Sequence, residues 1–168
     1  TDEDGRIVRF LEKPSWGEVF SDTVNTGIYI LEPEVLGYYK RGDNFDFSKD
    51  LFPKLLKDNI PMYGYITKEY WNDIGDLKVY KEVNFDLLSR KVRTEIPYKQ
   101  VQDRVWIGDD TIISEECKLI PPVLIGRNCI IKSNGILESV IIADNSEVGE
   151  NTSIKRSIVW ANVTLGRN

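Results

Sequence analysis

Three short groups of polar residues in the first half of the chain could bind a phosphorylated ligand that is rich in hydroxyl groups. They are Glu12-Lys13-Pro14, Asn25-Thr26-Gly27 and Asp73. A lysine is a compact cation suited to a phosphate, whereas glutamate and asparagine side chains can hydrogen-bond to hydroxyl groups. Gly27 would let the backbone approach a ligand closely, and Asp73 offers a hard oxygen ligand for Mg²⁺. The residue types therefore predict a site for a phosphate, hydroxyl groups and a metal ion.

Each group taken alone also has an ordinary structural explanation. Glu12-Lys13 could be a surface ion pair before the turn that Pro14 imposes, and Asn25-Thr26-Gly27 could be the polar start of a strand. Asp76, which lies close to Asp73 in sequence, is better explained as the N-cap of the following helix. The hypothesis of a binding site therefore depends on the order and the combination of the groups.

Strands and helices are predicted to alternate around these groups. Because ligands of open α/β sheets bind at the carboxyl ends of the strands, Glu12 and Lys13 are predicted to lie at such an edge. The apolar stripe of the last helix in this half is predicted to face a core. The predicted elements are strands at Ile7–Leu11, Thr26–Leu31 and Met62–Ile66, helical segments at Glu32–Leu36 and Asp46–Leu56 with Asp46 or Ser48 as the cap, and a helix from Asp76 with a stripe from Leu77 to Leu88.

After Lys91 the sequence follows a repeat of about six residues. Aliphatic residues precede glycines at several points, and Gly108 and Gly126 are 18 residues apart, which is three repeats. This period predicts a parallel β-helix, in which each hexapeptide forms one face of a triangular coil. The register slips around Ser139–Asp144, and Pro121-Pro122 is predicted to mark a small loop extruded from a corner. We therefore predict an α/β unit over residues 1–95 and a β-helix over residues 96–168.

Composition excludes several classes of function. The chain has 168 residues, 22 basic and 27 acidic side chains, a net charge of −5 and no histidine. The missing imidazole removes histidine-based triads and most catalytic zinc sites. No basic face is available for nucleic acid, and no segment has the length of a membrane span or the pattern of a signal peptide. Cys117 and Cys129 are predicted to be small buried side chains, and a cytoplasmic protein is expected.

In order and spacing, these motifs resemble the sugar-1-phosphate nucleotidyltransferases, and most of all their mannose-1-phosphate guanylyltransferase-like branch. The resemblance is carried by Val24–Leu36, Phe47–Pro53 and Tyr70–Tyr80. It implies a fold in which the second half of a Rossmann-like nucleotidyltransferase domain is followed by a left-handed β-helix. It also implies that the substrates are a sugar-1-phosphate and a nucleoside triphosphate, whose identities the sequence leaves open.

The resemblance implies a role for each candidate residue. Lys13 would be the catalytic residue that contacts the 1-phosphate, and Glu12 and Asn25 would hydrogen-bond sugar hydroxyls beside the Thr26-Gly27 backbone. Asp73 would share Mg²⁺ with an aspartate outside this sequence. The sugar phosphate would attack the α-phosphorus in line and release pyrophosphate. Such chemistry needs positioning and charge neutralisation more than proton transfer, which is compatible with a chain that has no histidine.

The chain also departs from the family pattern. Family members have a glycine-rich loop with basic residues that holds the triphosphate, whereas Gly5 is the only glycine before Gly17 here. We therefore expect the chain to be cut from a longer protein and to be inactive alone. The last coil of the β-helix would present unpaired edges, which predicts a homo-oligomer.

Two other functions fit the same architecture. A non-catalytic regulatory or oligomerisation subunit could keep the catalytic fold without turnover. A hexapeptide-repeat acyltransferase is the other alternative, but these enzymes typically use a histidine base between coils, and this chain has no histidine.

Overall fold

The computed structural model describes residues 1–10 and 23–167. The chain forms two compact units, Thr1–Trp71 and Asn72–Asn168. Each unit has its own hydrophobic cluster.

A small cluster of aromatic and aliphatic side chains holds the first unit together. Leu51, Phe52 and Leu55 are buried at its centre. The rings of Phe10 and Tyr29 each lie 5.0 Å from the ring of Phe52, measured between centroids. The helical segments that carry this cluster are a 3-10 helix at Pro33–Tyr38, a π-helical turn at Phe47–Leu51 and helix α1 at Phe52–Lys57.

Asp46 begins the helical segment that leads into α1. Its Oδ1 accepts hydrogen bonds from the backbone N–H groups of Ser48 at 2.8 Å and Lys49 at 2.9 Å. These donors have no partner inside the helix, so a carboxylate at this position satisfies them. Of the two predicted caps, Asp46 is confirmed and Ser48 is one of its donors.

The strands predicted in this unit do not form a ladder among the described residues. The pairing found there is an antiparallel bridge between Arg6 and Tyr63. Backbone hydrogen bonds from Ile7 to Met62 at 2.8 Å and from Gly64 to Gly5 at 2.9 Å support this bridge. A strand needs a neighbouring strand that pairs with its backbone N–H and C=O groups. Among the described residues of this unit, such pairing occurs only at this bridge.

Helix α2, Leu77–Leu88, opens the second unit. As predicted, Asp76 is its N-cap, because Asp76 Oδ1 accepts a hydrogen bond from the Val79 N–H at 2.7 Å. Leu88 is fully buried, and Phe85 and Leu87 pack beside it against the β-helix. Leu77 was expected in the buried stripe but is exposed. The apolar face of α2 therefore lies towards its C-terminal half.

Nine short strands build the β-helix. All pairings are parallel except the first, in which β1 runs antiparallel to β2. The strands form two sheets with the orders β1-β2-β4-β6-β8 and β3-β5-β7-β9. Their ranges are β1 Lys99–Gln102, β2 Val105–Ile107, β3 Ile112–Ile113, β4 Lys118–Ile125, β5 Ile130–Ile131, β6 Ile136–Ile142, β7 Glu147–Val148, β8 Ser153–Val159 and β9 Thr164–Leu165.

The six-residue repeat places aliphatic side chains in vertical columns inside the coil. Stacked coils align residues of the same kind, so that each column is continuous from one coil to the next. Cys129 is also buried in this core, whereas Cys117 is half-buried. Three of the columns are Ile107, Ile125, Ile142 and Val159; Ile113, Ile131, Val148 and Leu165; and Leu119, Leu137 and Ile154.

The slip in the repeat has a local cause at one corner. Ile120 is aligned with Glu138, but Val123 is aligned with Val140, so two residues of β4 lie opposite the single residue Ser139. Those two residues are Pro121-Pro122, which are joined by a cis peptide bond. They lie inside β4, so the prediction of an extruded loop was wrong. From Leu119 to Ile125 the spacing is the regular six residues, whereas from Leu137 to Ile142 it is five, so the slip is one residue fewer at the Ser139 corner.

Asparagines at another corner adopt the left-handed backbone conformation. Asn128, Asn145 and Asn162 have φ values of 53°, 59° and 62°. Asparagine tolerates this region because its short polar side chain can hydrogen-bond locally. Asn128 donates to Asn145, and Asn145 donates to Asn162, both at 3.3 Å. Asparagine thus occupies this left-handed corner in three successive coils.

Candidate functional site

Asn25 is fixed by a hydrogen-bonded turn within the first unit. Its Nδ2 donates to the Tyr29 hydroxyl oxygen at 2.7 Å, and that hydroxyl donates to Asn25 Oδ1 at 3.0 Å. The Gly27 N–H also donates to Asn25 Oδ1, at 3.1 Å. An amide nitrogen carries two hydrogens, and within residues 1–10 and 23–167 one hydrogen bond from Asn25 Nδ2 is found. The side chain is exposed and its orientation is set by its neighbours.

Gly27 and Thr26 complete this turn. Gly27 has a φ of 75°, a region that L side chains rarely adopt, and a Cβ built on it would meet nothing within 4 Å. Glycine is therefore required here by the backbone conformation and not by crowding. Thr26 is half-buried beside it.

Asp73 lies in the second unit, before α2. Its side chain is exposed, and its carbonyl oxygen accepts a hydrogen bond from the Gly75 N–H at 3.0 Å. Within the described ranges, the carboxylate itself has no hydrogen-bond or ion-pair partner. No group of three or more His, Cys, Asp or Glu side chains that could hold a metal ion occurs in residues 1–10 and 23–167.

The candidate residues are not all placed by the structure. Glu12 and Lys13 lie outside the described residues. The turn at Asn25 and the carboxylate of Asp73 belong to different units. Sequence reasoning missed Tyr29, whose hydroxyl group holds Asn25. A tyrosine four residues after an asparagine was the available signal, but the turn between them could not be read from the sequence pattern.

A polar groove of about 480 Å³ lies in the second unit, and the sequence did not predict it. It runs between α2 and the β-helix corner at Pro122, Ser139 and Arg156. Lys81 Nζ donates to the Arg156 carbonyl oxygen at 3.1 Å and so ties the helix to this corner. The lining contains cations and carboxylates together, and its lysine–aspartate pair is at 2.6 Å. The lining has three cationic side chains and two carboxylates, so the groove carries an excess of one positive charge.

Tyr98 joins the segment after α2 to the β-helix. Its hydroxyl donates to Asp144 Oδ1 at 3.2 Å, and the guanidinium carbon of Arg127 lies 5.5 Å from the centroid of its ring. Asp144 Oδ1 also accepts the Arg127 N–H at 2.7 Å. Burial raises the pKa of Tyr98 above its usual value of 10.0, and the hydrogen bond and negative charge of Asp144 raise it further.

This raised pKa predicts a loss of stability at alkaline pH. The folded state holds the Tyr98 proton more tightly than the unfolded state, so its contribution is complete below pH 10 and declines as the pH rises through the folded pKa. We expect Tyr98→Phe to lower the free energy of unfolding by about 1 kcal/mol at pH 8 and by less above pH 10, as measured by urea unfolding. Tyr65→Phe, at an exposed ring, is the control. An equal loss of unfolding free energy at pH 8 and pH 11 would contradict a raised pKa of Tyr98.

Comparison with known families identifies the class to which the chain belongs. The nucleotidyl transferase family model matches residues 1–90, and the GMPPB C-terminal domain model matches residues 101–168. The chain therefore belongs to the nucleotidyl transferase family. No helix in residues 1–10 and 23–167 has the length and hydrophobicity needed to cross a bilayer.

Individual relatives are sugar-1-phosphate nucleotidyltransferases. A UTP–glucose-1-phosphate uridylyltransferase of Synechocystis sp. is 32% identical over 180 residues, which cover 95% of this chain and 46% of the relative. A glucose-1-phosphate adenylyltransferase of Acetivibrio thermocellus is 32% identical over 197 residues, which cover 100% of this chain and 44% of the relative. A putative mannose-1-phosphate guanyltransferase of Sulfolobus acidocaldarius is 30% identical over 154 residues, which cover 92% of this chain and 34% of the relative. The chain thus spans less than half the length of each.

Proposed function

We propose that this chain supplies the sugar-phosphate side of a sugar-1-phosphate nucleotidyltransferase. The complete enzyme joins a hexose-1-phosphate to a nucleoside triphosphate and forms a nucleotide-sugar and pyrophosphate. The observation that carries this proposal is the family match over residues 1–90, which contain every candidate site residue. Relatives named for uridylyl, adenylyl and guanylyl transfer to a sugar phosphate support it.

Each candidate residue has a defined role in this proposal. Lys13 neutralises the charge of the 1-phosphate and directs its oxygen towards the α-phosphorus. Glu12 and Asn25 hydrogen-bond the sugar hydroxyls, with the Thr26-Gly27 backbone beside them. The Asn25–Tyr29 hydrogen bonds support this role, because they fix the orientation of the amide before a ligand arrives.

Asp73 is proposed as a ligand of Mg²⁺. Its donor chemistry fits, because it is a hard, exposed oxygen ligand with no partner among the described residues. Magnesium commonly takes one or two carboxylates together with substrate phosphates, so a single carboxylate here would be part of the ligand set. A bound Mg²⁺ supplies charge neutralisation at the phosphates during transfer.

We further propose that the 168 residues alone do not catalyse the transfer. They contain no glycine-rich loop with neighbouring basic residues that could hold a triphosphate. The division into residues 1–95 and 96–168, a cytoplasmic location and a homo-oligomeric state are also proposed here. Light scattering of the purified protein tests the oligomeric state directly.

A hybrid enzyme tests the proposed function. In the Synechocystis uridylyltransferase, the segment that matches this chain is replaced by residues 1–168. We expect the hybrid to release pyrophosphate from a hexose-1-phosphate and a nucleoside triphosphate in the presence of Mg²⁺, and the isolated chain to release none. A folded hybrid without activity would favour the non-catalytic regulatory alternative. Activity of the isolated chain would contradict the proposal that it is incomplete.

Removing the amide of Asn25 should weaken sugar-phosphate binding. We expect Asn25→Ala in the hybrid to raise the KM for the sugar phosphate roughly tenfold, which corresponds to the loss of one hydrogen bond. Tyr29→Phe should raise this KM less, because it removes the hydroxyl group that orients Asn25 but leaves the Asn25 amide in place. Steady-state kinetics with varied sugar phosphate provide the measurement. An unchanged KM in Asn25→Ala would contradict the proposed role of Asn25 in binding the sugar phosphate.

A further inference from the structure

Five asparagines at corners of the β-helix, within residues 99–167, share one backbone conformation but differ in the residue that follows. Their φ values lie between 53° and 62°. The five pairs are Asn128-Cys129, Asn134-Gly135, Asn145-Ser146, Asn151-Thr152 and Asn162-Val163. A side chain on the following residue hinders the approach of its backbone nitrogen to the asparagine amide, and glycine has no such side chain. Asn134-Gly135 is therefore the least hindered of the five pairs.

Hydrogen bonds do not restrain the reacting groups of this pair. Within residues 1–10 and 23–167, neither the Asn134 side chain nor the Gly135 backbone nitrogen makes one. At the Asn128 corner, by contrast, the Cys129 N–H donates to Thr111 Oγ1 at 3.0 Å. Asn134 is also exposed, so water and hydroxide reach its amide. The amide carbon and the next nitrogen are thus free to react with each other.

The remaining corners supply an internal comparison. The side chains of Asn128, Asn145 and Asn162 are joined by hydrogen bonds. Asn151 is like Asn134: it is exposed, and neither its side chain nor the Thr152 backbone nitrogen makes a hydrogen bond in the described part of the chain. The Asn151-Thr152 pair therefore differs from Asn134-Gly135 mainly in the side chain of the second residue.

We propose that Asn134-Gly135 is a site of spontaneous deamidation in the folded protein. The Gly135 nitrogen attacks Asn134 Cγ, the new N–C bond closes a five-membered succinimide ring, and the Cγ–Nδ2 bond breaks. Ammonia leaves with the proton that the Gly135 nitrogen loses. Water then opens the ring at either of its two carbonyl groups, which gives aspartate or isoaspartate. No group is oxidised or reduced, and water is the only co-reactant.

The modified corner is held by the coils on both sides of it. The Lys118 N–H donates to the Gly135 carbonyl oxygen at 2.8 Å, and the Asn151 N–H donates to the Ser133 carbonyl oxygen at 3.0 Å. Isoaspartate adds one backbone atom between these two carbonyl groups, so their spacing no longer matches the neighbouring coils. Isoaspartate is therefore expected to loosen the stacking of the coils more than aspartate does.

Timed incubation of the whole chain at pH 9, below its unfolding temperature, tests this inference. Samples are digested with trypsin and analysed by mass spectrometry, and a zero-time sample corrects for modification during digestion. One tryptic peptide, residues 133–155, contains Asn134, Asn145 and Asn151, so fragmentation of a single peptide compares three corners. We expect the change from amide to carboxylate to appear at Asn134 about ten times faster than at Asn151. The rate should rise with pH, because the deprotonated nitrogen is the nucleophile.

Gly135→Ala is the matched variant. It keeps Asn134 and adds one methyl group, which would lie 3.1 Å from Cys117 Sγ, the end of a side chain. We expect it to lower the rate at Asn134 to that of Asn151. Should this variant fail to fold, the comparison of Asn134 with Asn151 in the unmodified chain still decides. Equal rates at these two asparagines, or reaction of Asn134 only in urea-unfolded protein, would overturn the inference.

Asn134→Asp separates the charge from the extra backbone atom. Protein that has formed isoaspartate is isolated from the incubation, and its thermal unfolding is compared with that of Asn134→Asp. We expect a lower unfolding temperature for the isoaspartate form. Equal unfolding temperatures would contradict the expected effect on the stacking of the coils.

Discussion

Lys13→Met in the hybrid enzyme is expected to lower kcat/KM for the sugar phosphate by about 100- to 1000-fold. Removing one preorganised group that stabilises developing charge typically costs this much. Methionine has a side chain of similar length and no charge, so the substitution removes mainly the electrostatic contribution. Steady-state pyrophosphate release measures the effect, with the sugar phosphate varied at saturating nucleoside triphosphate.

This variant separates the two interpretations of the Glu12-Lys13-Pro14 motif. If Lys13 were half of a surface ion pair, its replacement would change kcat/KM little, because exposed ion pairs contribute at most about 1 kcal/mol to stability. Lys13→Arg is the matched control, which keeps the charge but changes its geometry, and it should retain more activity than Lys13→Met. Wild-type kcat/KM in Lys13→Met would exclude the catalytic role.

Gly108→Ala is expected to destabilise the second unit by about 3 kcal/mol or more. A Cβ at Gly108 would lie 2.5 Å from the backbone nitrogen of Arg127 and 2.5 Å from the carbonyl carbon of Gly126. Both atoms belong to the backbone of the next coil, so neither can move away by changing a rotamer. The stacking of β2 on β4 would have to open. Urea unfolding followed by circular dichroism measures the loss.

Gly166→Ala is the matched control for this prediction. Gly166 follows Leu165 as Gly149 follows Val148 in the coil before it, but a Cβ at Gly166 would meet nothing within 4 Å. Stability within about 0.5 kcal/mol of the wild type is therefore expected. Equal losses of stability in Gly108→Ala and Gly166→Ala would contradict this explanation. They would mean that glycine is needed for its conformational freedom and not for the close contact between coils.

Local signals in the sequence predicted local structure well. Asp76 was identified as a cap because a cap depends on residues within one helical turn, and its hydrogen bond to Val79 confirms this. The columns of the β-helix were predicted for a similar reason. Each coil repeats the same inward positions, so periodicity alone reports which residues stack. Leu77 was wrongly placed in the buried stripe of α2, because an amphipathic pattern does not state which part of the helix meets a neighbour.

Features that depend on distant residues were predicted less well. The run from Thr26 to Leu31 has the composition of a strand, but a strand exists through its partners, and residues 28–31 have none among the described residues. The two-residue corner at Pro121-Pro122 was recognised as a break in the repeat but was assigned to a loop. Only the alignment of β4 with β6 shows that both prolines stay within the strand and that the neighbouring corner, at Ser139, has one residue fewer.

The candidate site shows the same limit. Asn25, Thr26 and Gly27 form one turn, so their proximity follows from the sequence, and the structure adds the hydrogen bond of Asn25 to Tyr29. Asp73 belongs to the second unit. Its distance from the other candidates is set by residues far apart in sequence, and no short motif encodes such a distance. The roles of Glu12, Lys13 and Asp73 therefore stay predictions.

Phosphorus NMR of the hybrid enzyme with a hexose-1-phosphate, a nucleoside triphosphate and Mg²⁺ tests the central claim most directly. We expect the sugar-phosphate resonance to decline as pyrophosphate and a diphosphate-bridged nucleotide-sugar appear in equal amounts, and Lys13→Met to slow all three changes together. Loss of the triphosphate to inorganic phosphate without consumption of the sugar phosphate would contradict the proposed nucleotidyl transfer. So would no reaction from a folded hybrid.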